Sequence, residues 1–445
     1  MPEKRVVVTG LGPITPVGIG KDVYWNAVLE GKSGTRGLDY YPWHDKYRFS
    51  SKVCGPIADF DHKDPAVQKT YNFRTRDHLD RATAIMEAGA YLALRDAGLE
   101  IKKVADGGGR EADKHVLEGV DPLRFSVYIG TGIGGVGVLL DEFLTHKGLG
   151  RKKYDKPARL FLQLIEGCMP NASPGELAIM YGARGESFSV NTACASGLTA
   201  LVQAFRAIRL DVADLVLTGG LEAVLDVHDG YVFRAFDGPG ALARWKGDPA
   251  EGSRPFDKNR KGFVMSEGGA GLVLESLEHA KARGARIYAE IVSTSGSTDA
   301  DHMMRMRAET VRWSMENAVR KAGKTPADVV YINAHGTSTL LNDPTEADIF
   351  AEVFGEGPII RGSKGNVGHL IGGAGPVGLA ETAMTLTEKK AAPNINLTDP
   401  IRDDLRLPTE VTPLPADLDG KIALVRCSGF GGHNWDVCVA PWLDA

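Results

Sequence analysis

Cys194, His335 and His369 stand in three short segments far apart in the chain: Ala193-Cys194-Ala195-Ser196-Gly197, Asn333-Ala334-His335-Gly336-Thr337 and Lys364-Gly365-Asn366-Val367-Gly368-His369. Each segment follows a β-branched, strand-like run and contains glycine, an arrangement that presents a side chain to a substrate at little steric cost. One thiol and two imidazoles point to thioester carbon–carbon bond chemistry. A thiolate can carry an acyl group as a covalent intermediate, and neutral imidazoles can donate N–H bonds to a developing oxyanion. The helix expected after Cys194 favours the thiolate through its unpaired N–H groups and its dipole. Ala193, Ala195 and Gly197 keep that corner small enough for an acyl thioester to approach. A lone cysteine is most often a small buried hydrophobe, and that reading fits Cys54, Cys168, Cys427 and Cys438, which lack comparable surroundings.

The elements that must position these side chains are those of an α/β protein. Short apolar runs at Val6–Val8, Val127–Ile129, Phe188–Val190 and Leu215–Leu217 read as buried strands between helical patterns. A second series follows at Tyr288–Val292, Val329–Ile332, Ile359–Ile360 and Ile422–Val425. The two series can be overlaid. In the first, Phe188–Val190 leads to Cys194 and a helix with Leu198, Leu201, Val202, Phe205 and Ile208 on one face. In the second, Ile359–Ile360 leads to His369 and a helix with Leu379, Ala380, Ala383, Met384 and Leu386. Cys194 and His369 then occupy equivalent strand-to-helix corners of two duplicated halves, 1–285 and 286–445, with the site between them. Two stretches read as elaborations: Ile101–Asp121, charged and glycine-rich, as a surface excursion, and Asp39–Phe73, aromatic and basic without a period, as a loop packed on the surface.

With 43% hydrophobic and 24% charged residues among 445, the chain can build a large core, so disorder is not expected. A net charge of -5 and the absence of any Lys/Arg-rich block argue against nucleic-acid or membrane-surface binding. Five cysteines without a Cys-x-x-Cys spacing indicate neither a disulfide framework nor a metal site. A reducing compartment follows, and cytoplasmic residence is the expectation, since no apolar leader or spanning run is evident.

The three motifs, with Val6-Val7-Val8-Thr9-Gly10-Leu11-Gly12, Ser253-Arg254-Pro255-Phe256-Asp257, Gly262-Phe263-Val264 and Gly429-Phe430-Gly431-Gly432-His433-Asn434, resemble the β-ketoacyl-acyl-carrier-protein synthases, elongating condensing enzymes of the thiolase-like superfamily. The resemblance spans nearly the whole chain. Thiolases pair their nucleophile with a His and a second Cys, and initiating synthases with His and Asn; here the set is Cys, His, His. It implies a thiolase-like fold with two pseudo-repeated halves in an α-β-α-β-α layering, no cofactor and no metal. It implies an acyltransferase that loads an acyl chain from acyl carrier protein onto Cys194 and condenses it with a malonyl thioester, in fatty acid elongation or in a polyketide or other specialised-lipid pathway. A non-catalytic chain-length partner subunit is the remoter alternative, and the presence of Cys194 argues against it. By the same resemblance His335 and His369 stabilise the malonyl-derived carbanion, and the backbone N–H groups of Cys194 and Phe430 serve the tetrahedral intermediate. Lys364 orients His369 and maintains positive potential; Asp343 and Glu346 hold the network around Lys364; Thr337 and Thr339 bind the pantetheine amides. A homodimer pairing near Phe188–Val190 is also implied.

Gly130-Thr131-Gly132-Ile133-Gly134-Gly135 satisfies a dinucleotide-type spacing, but no acid follows on a second strand, so it reads as a turn needing bare backbone. His433 reads as structural. Three departures from the resembled pattern stand out. Gly378 replaces a Glu commonly found nine positions beyond the second His. Asp301–Arg307 replaces a Pro-rich loop, and two readings stand: Arg305 and Arg307 are solvated residues leading into a helix with Val311, Met315 and Val319, or the segment is an altered substrate gate with Met side chains at the entrance and the arginines attracting an acidic carrier. Asp77 and His78 align with a basic carrier-docking pair, with Arg74 and Arg76 close by.

Overall fold

All eight apolar runs fall in strands of one mixed sheet. The computed structural model describes residues 3–72, 80–104, 115–146, 164 and 167–443; Arg74, Arg76, Asp77 and His78 lie outside them. Ten strands carry the sheet: β1 (Val6–Thr15), β2 (Phe125–Thr131), β3 (Ser187–Val190), β4 (Leu215–Glu222), β5 (Gly268–Ser276), β6 (Ala289–Thr298), β7 (Val329–Asn333), β8 (Ile359–Arg361), β9 (Ile422–Gly429) and β10 (His433–Pro441). Their order is β8-β7-β9-β10-β6-β1-β5-β4-β2-β3, with Gly18–Ile19 paired to β1 as an extra short strand.

This order is a duplication. From its outer edge inward, the first half runs β3-β2-β4-β5-β1 and the second β8-β7-β9-β10-β6. In both, the edge strand and the third strand flank the second in parallel, and the two innermost strands follow antiparallel. The halves meet where Val6–Val8 of β1 pairs antiparallel with Ile291–Ala289 of β6.

Five helices give the layers: α1 (Arg81–Asp96), α2 (Ser196–Arg209), α3 (Ala308–Lys321), α4 (Asn342–Phe354) and α5 (Ala374–Glu388). α2 and α5 pack on each other between the two halves of the sheet, α1 covers the outer face of β1 and β5, and α3 covers β6 and β10. The central pair is held by burial. Leu198, Leu201, Val202, Phe205 and Ile208 of α2 and Leu379, Ala380, Ala383, Met384 and Leu386 of α5 are all buried. Each fully buried large apolar side chain is worth about 1.5–3 kcal/mol. No side chain caps the start of either helix, so packing rather than capping fixes where they begin.

The aromatic stretch differs from the expectation of a surface loop. Leu38, Tyr41, Trp43 and Phe49 are buried with Val224, Leu225 and Phe233 in a core cluster against which Cys194 packs. Trp43 stacks on Tyr41 and donates its indole N–H to Asp226 at 3.0 Å. Aromatic bodies with one satisfied polar tip are buried readily, and the missing period reflects a segment that is core without being helix or strand. At both ends of the 101–121 stretch, Ile101–Lys103 pairs antiparallel with His115–Leu117.

Candidate active site

Cys194 lies in a single 3-10 turn, Ala193–Ala195, between β3 and α2. His335 follows β7, and His369 follows a one-turn helix, Lys364–Val367, after β8. All three line one cavity of about 480 Å³, together with Thr337, Thr339 and Phe430. The strained residues of these turns sit beside the reactive ones: Ala193 has φ +51° and Ile371 φ +47°. For Ile, a β-branched residue, that is an outlier costing of the order of 1–3 kcal/mol, held by surrounding structure.

The imidazole planes of His335 and His369 are nearly perpendicular, with centroids 5.5 Å apart, and Phe263 meets His369 edge-on at 5.2 Å. The Ile371 N–H donates to His369 Nδ1 at 3.2 Å, so the ring proton is on Nε2, leaving Nε2–H as a donor. Burial pushes the His369 pKa well below its usual value, and the Lys364 charge adds to this. Burial, then Lys364, does the same to His335. Both rings are neutral at pH 7, the form that donates N–H without adding charge.

The thiol departs from expectation. Burial pushes the Cys194 pKa up to about 12, outweighing the Lys364 charge and the Phe430 N–H directed at its sulfur. The resting group is a thiol rather than a thiolate favoured by the helix end, and deprotonation must accompany the arrival of the acyl group. Gly429 lets Phe430 approach: a Cβ on Gly429 would lie 2.4 Å from the Thr192 carbonyl oxygen and 3.2 Å from the Cys194 nitrogen. Cys54, Cys427 and Cys438 are buried free thiols with pKa values raised by burial.

Lys364 is buried, and its ammonium donates to the His335 carbonyl oxygen rather than to His369. The two acids hold the same His335 loop that Lys364 bonds. Glu346 accepts from the N–H groups of His335 (3.0 Å) and Gly336 (2.7 Å), and Asp343 from those of Thr337 and Ser338 (3.0 Å each). Burial raises Asp343 to about 6. Buried backbone donors need partners, and here two carboxylates at the start of α4 supply them. Thr337 and Thr339 lie 2.9 Å apart, hydroxyl to hydroxyl.

Met303, Met304, Arg305 and Met306 line the cavity, and the Met303 carbonyl accepts from Gly431 N–H at 2.8 Å, tying this segment to the loop of Phe430. Arg307 instead pairs with Asp301 at 3.3 Å. His433 begins β10, in register with Gly429 and Thr298.

Glu222, at the end of β4, has no signal in the sequence. It is fully buried and accepts from Gly132 N–H at 2.8 Å, Ile133 N–H at 3.2 Å and Gly372 N–H at 3.3 Å. The glycine-rich turn after β2 is therefore wrapped on a protein carboxylate, whose pKa burial raises to about 7. A second buried acid, Glu381 of α5, takes the Arg361 guanidinium at 2.7 Å and the hydroxyls of Tyr24 and Tyr331.

A duplicated five-strand unit with a thiol and two imidazoles converging between its halves is the thiolase-like ketosynthase arrangement, and comparison with known proteins agrees. Residues 3–280 match the model of the β-ketoacyl synthase N-terminal domain and residues 288–398 that of the C-terminal domain. The chain is 35% identical to a 3-oxoacyl-[acyl-carrier-protein] synthase 2 of Synechocystis and 34% identical to one of Staphylococcus aureus, with 97% of each chain covered in both cases. Among solved structures, a type II polyketide ketosynthase in complex with its acyl-carrier protein superposes with a TM-score of 0.82 at 29% identity, covering 99% of this chain and 100% of that one. A β-ketoacyl synthase from Burkholderia phymatum gives 0.83 at 28%, with the same coverage. The chain belongs to the β-ketoacyl synthase family.

Proposed function

We propose that this protein is an elongating β-ketoacyl-acyl-carrier-protein synthase of fatty acid synthesis, working as a homodimer without cofactor or metal. The observation that carries the reading is the convergence of Cys194, His335 and His369 on one cavity with both imidazoles neutral. Cys194 takes the acyl group from the phosphopantetheine thioester of acyl carrier protein, and the carrier thiol leaves with the proton. Malonyl-acyl carrier protein then enters the emptied cavity. Its C2–carboxylate bond breaks, carbon dioxide departs, and the electron pair becomes an enolate stabilised by N–H donation from His335 and His369. The enolate carbon attacks the acyl carbon; the Phe430 and Cys194 N–H groups hold the tetrahedral oxyanion until Cys194 leaves.

Lys364 fixes the His335 loop through its carbonyl and lends positive potential to both half-reactions, while Asp343 and Glu346 position the same loop. Thr337 and Thr339 bind the pantetheine arm. The nucleophile belongs to the half 1–285 and both histidines to the half 286–445, a division supported by the five-plus-five strand order. The edge of β3, uncovered among the described residues, supports dimerisation there. Cytoplasmic residence fits a chain in which no described helix is long and apolar enough to cross a membrane. A polyketide pathway is the second reading, favoured by the likeness to the carrier-bound polyketide ketosynthase.

The test is mass spectrometry after exposure to a panel of acyl carrier proteins, followed by malonyl-acyl carrier protein. An acyl adduct on the Cys194 peptide, converted to a β-ketoacyl carrier two carbons longer, is expected. No adduct with any carrier would overturn the proposal, and uptake of β-ketoacyl chains in preference to saturated ones would move it to the polyketide pathway.

A further inference from the structure

Glu222 joins the two corners of the site. On one side its carboxylate holds Gly132 and Ile133, and this turn is linked to the nucleophile: Asn191 donates to the Gly132 carbonyl at 3.0 Å, and its own side-chain oxygen accepts from Ala193 N–H at 3.4 Å. On the other side it holds Gly372, next to Ile371, whose N–H fixes the His369 ring. Thr131 adds a hydroxyl donor at 3.3 Å. The two turns crowd the same group. A Cβ on Gly132 would lie 2.7 Å from Glu222 Oε2 and 2.7 Å from Ile371 Cγ2, and one on Gly372 would lie 2.8 Å from Gly132 N. Loss of a buried acceptor that serves donors from two segments would leave those N–H groups unsatisfied at the cost of their desolvation, so both turns depend on it.

We propose that Glu222 is a positioning residue that sets the separation between the Cys194 sulfur and the His369 imidazole, keeping carbanion formation coupled to carbon–carbon bond formation; this rests on the condensing reading above. Decarboxylation needs only the imidazoles, and acylation needs only the thiol corner. Condensation alone needs both in register. When the enolate carbon is out of reach of the acyl carbon, it takes a proton from water and leaves as an acetyl thioester, while the acyl group stays on Cys194.

The experiment uses protein preloaded with an acyl chain and given malonyl-acyl carrier protein, with carbon dioxide and β-ketoacyl product measured together. The parental protein should release close to one carbon dioxide per product. Glu222→Gln keeps the shape but turns one acceptor into an N–H donor facing an N–H. Its ratio of carbon dioxide to product should rise at least about tenfold, because a misplacement of about 1 Å between reacting atoms costs about 10²-fold. A merely structural role would lower acylation, decarboxylation and condensation together and leave the ratio unchanged; a folded Glu222→Gln protein with the parental ratio overturns the proposal. If that variant does not accumulate, Gly132→Ala, which pushes the same two turns apart, should raise the ratio likewise, and an unchanged ratio there is equally fatal. Failure of the parental protein to release any carbon dioxide would instead defeat the condensing reading.

Discussion

β3 and β8 are the outermost strands of two equivalent units, each paired in parallel with one neighbour, yet they meet opposite fates. β8 is fully buried, because the chain returns along it: Ile360 N–H donates to the Arg406 carbonyl at 2.9 Å, while Asn394 donates to the Ile360 carbonyl at 2.9 Å and accepts from Gly362 N–H at 2.7 Å. β3 has no such cover among the described residues, and its side chains range from half-buried to exposed. The corners that follow diverge too. Behind His369 the chain invests in locked polar groups, the Arg361–Glu381 pair and the Ile371 N–H, whereas Cys194 is set among small residues in an apolar wall. Duplication supplied one scaffold twice; what covers the edge and what backs the corner decided which copy holds a reagent still and which receives it.

The sharpest way to break this division of labour is to remove each reagent in turn. Cys194→Ala should abolish acyl-enzyme and net condensation while malonyl decarboxylation persists. His335→Ala and His369→Ala should lower decarboxylation by about 10²-fold or more while Cys194 still accepts an acyl group. Acyl mass on the protein and released carbon dioxide read the two separately, and condensation by Cys194→Ala would end the assignment.

The contrast between the edges predicts a smaller effect. In the parallel ladder Val127 N–H donates to the Glu186 carbonyl, which leaves the Ser189 N–H pointing to the open side. Ser189→Pro should spare the β2–β3 ladder and, in the proposed homodimer, remove a donor from each copy at the interface. A rise of about tenfold or more in the dimer dissociation constant is expected, from about 0.5–1.5 kcal/mol per lost bond. Light scattering across a dilution series tests it, and an unchanged constant would place the interface elsewhere.

The burial of the thiol gives the gentlest test. With a pKa pushed up to about 12, Cys194 alkylation by iodoacetamide should climb about tenfold per pH unit from about 7 to 9 without a plateau near the ordinary thiol value of about 8.5. A plateau there would mean that the helix end and Lys364 offset burial. The histidines titrate with the opposite sense: held neutral by burial, they should keep decarboxylation level as pH falls through about 6.5.

The chemistry was legible in the sequence because it lies at ends of apolar strands, where a period stops and glycine begins. What escaped notice escaped for identifiable reasons. β5 opens Gly268-Gly269-Ala270-Gly271, without the apolar run that marks the other strands; it is paired on both sides, and glycine stands there because Gly89 and Gly220 of neighbouring elements come too close for side chains. β10 buries Asn434 and Asp436 among apolar residues, so its alternation is masked. Asp343 and Glu346 could be aligned with acids of relatives, but only coordinates show that their partners are backbone N–H groups. Glu222 and Trp43 carry no pattern at all, since their meaning lies in contacts with segments far away in the chain.

Gly378 stands where elongating synthases commonly carry Glu. Its Cβ would lie 2.7 Å from Asn333 Oδ1. A side chain at 378 would meet Asn333 first, so a Glu there needs the Asn333 amide to turn or shift. Neighbours this close do not mutate independently: the effect of Gly378→Glu should depend on which residue stands at 333.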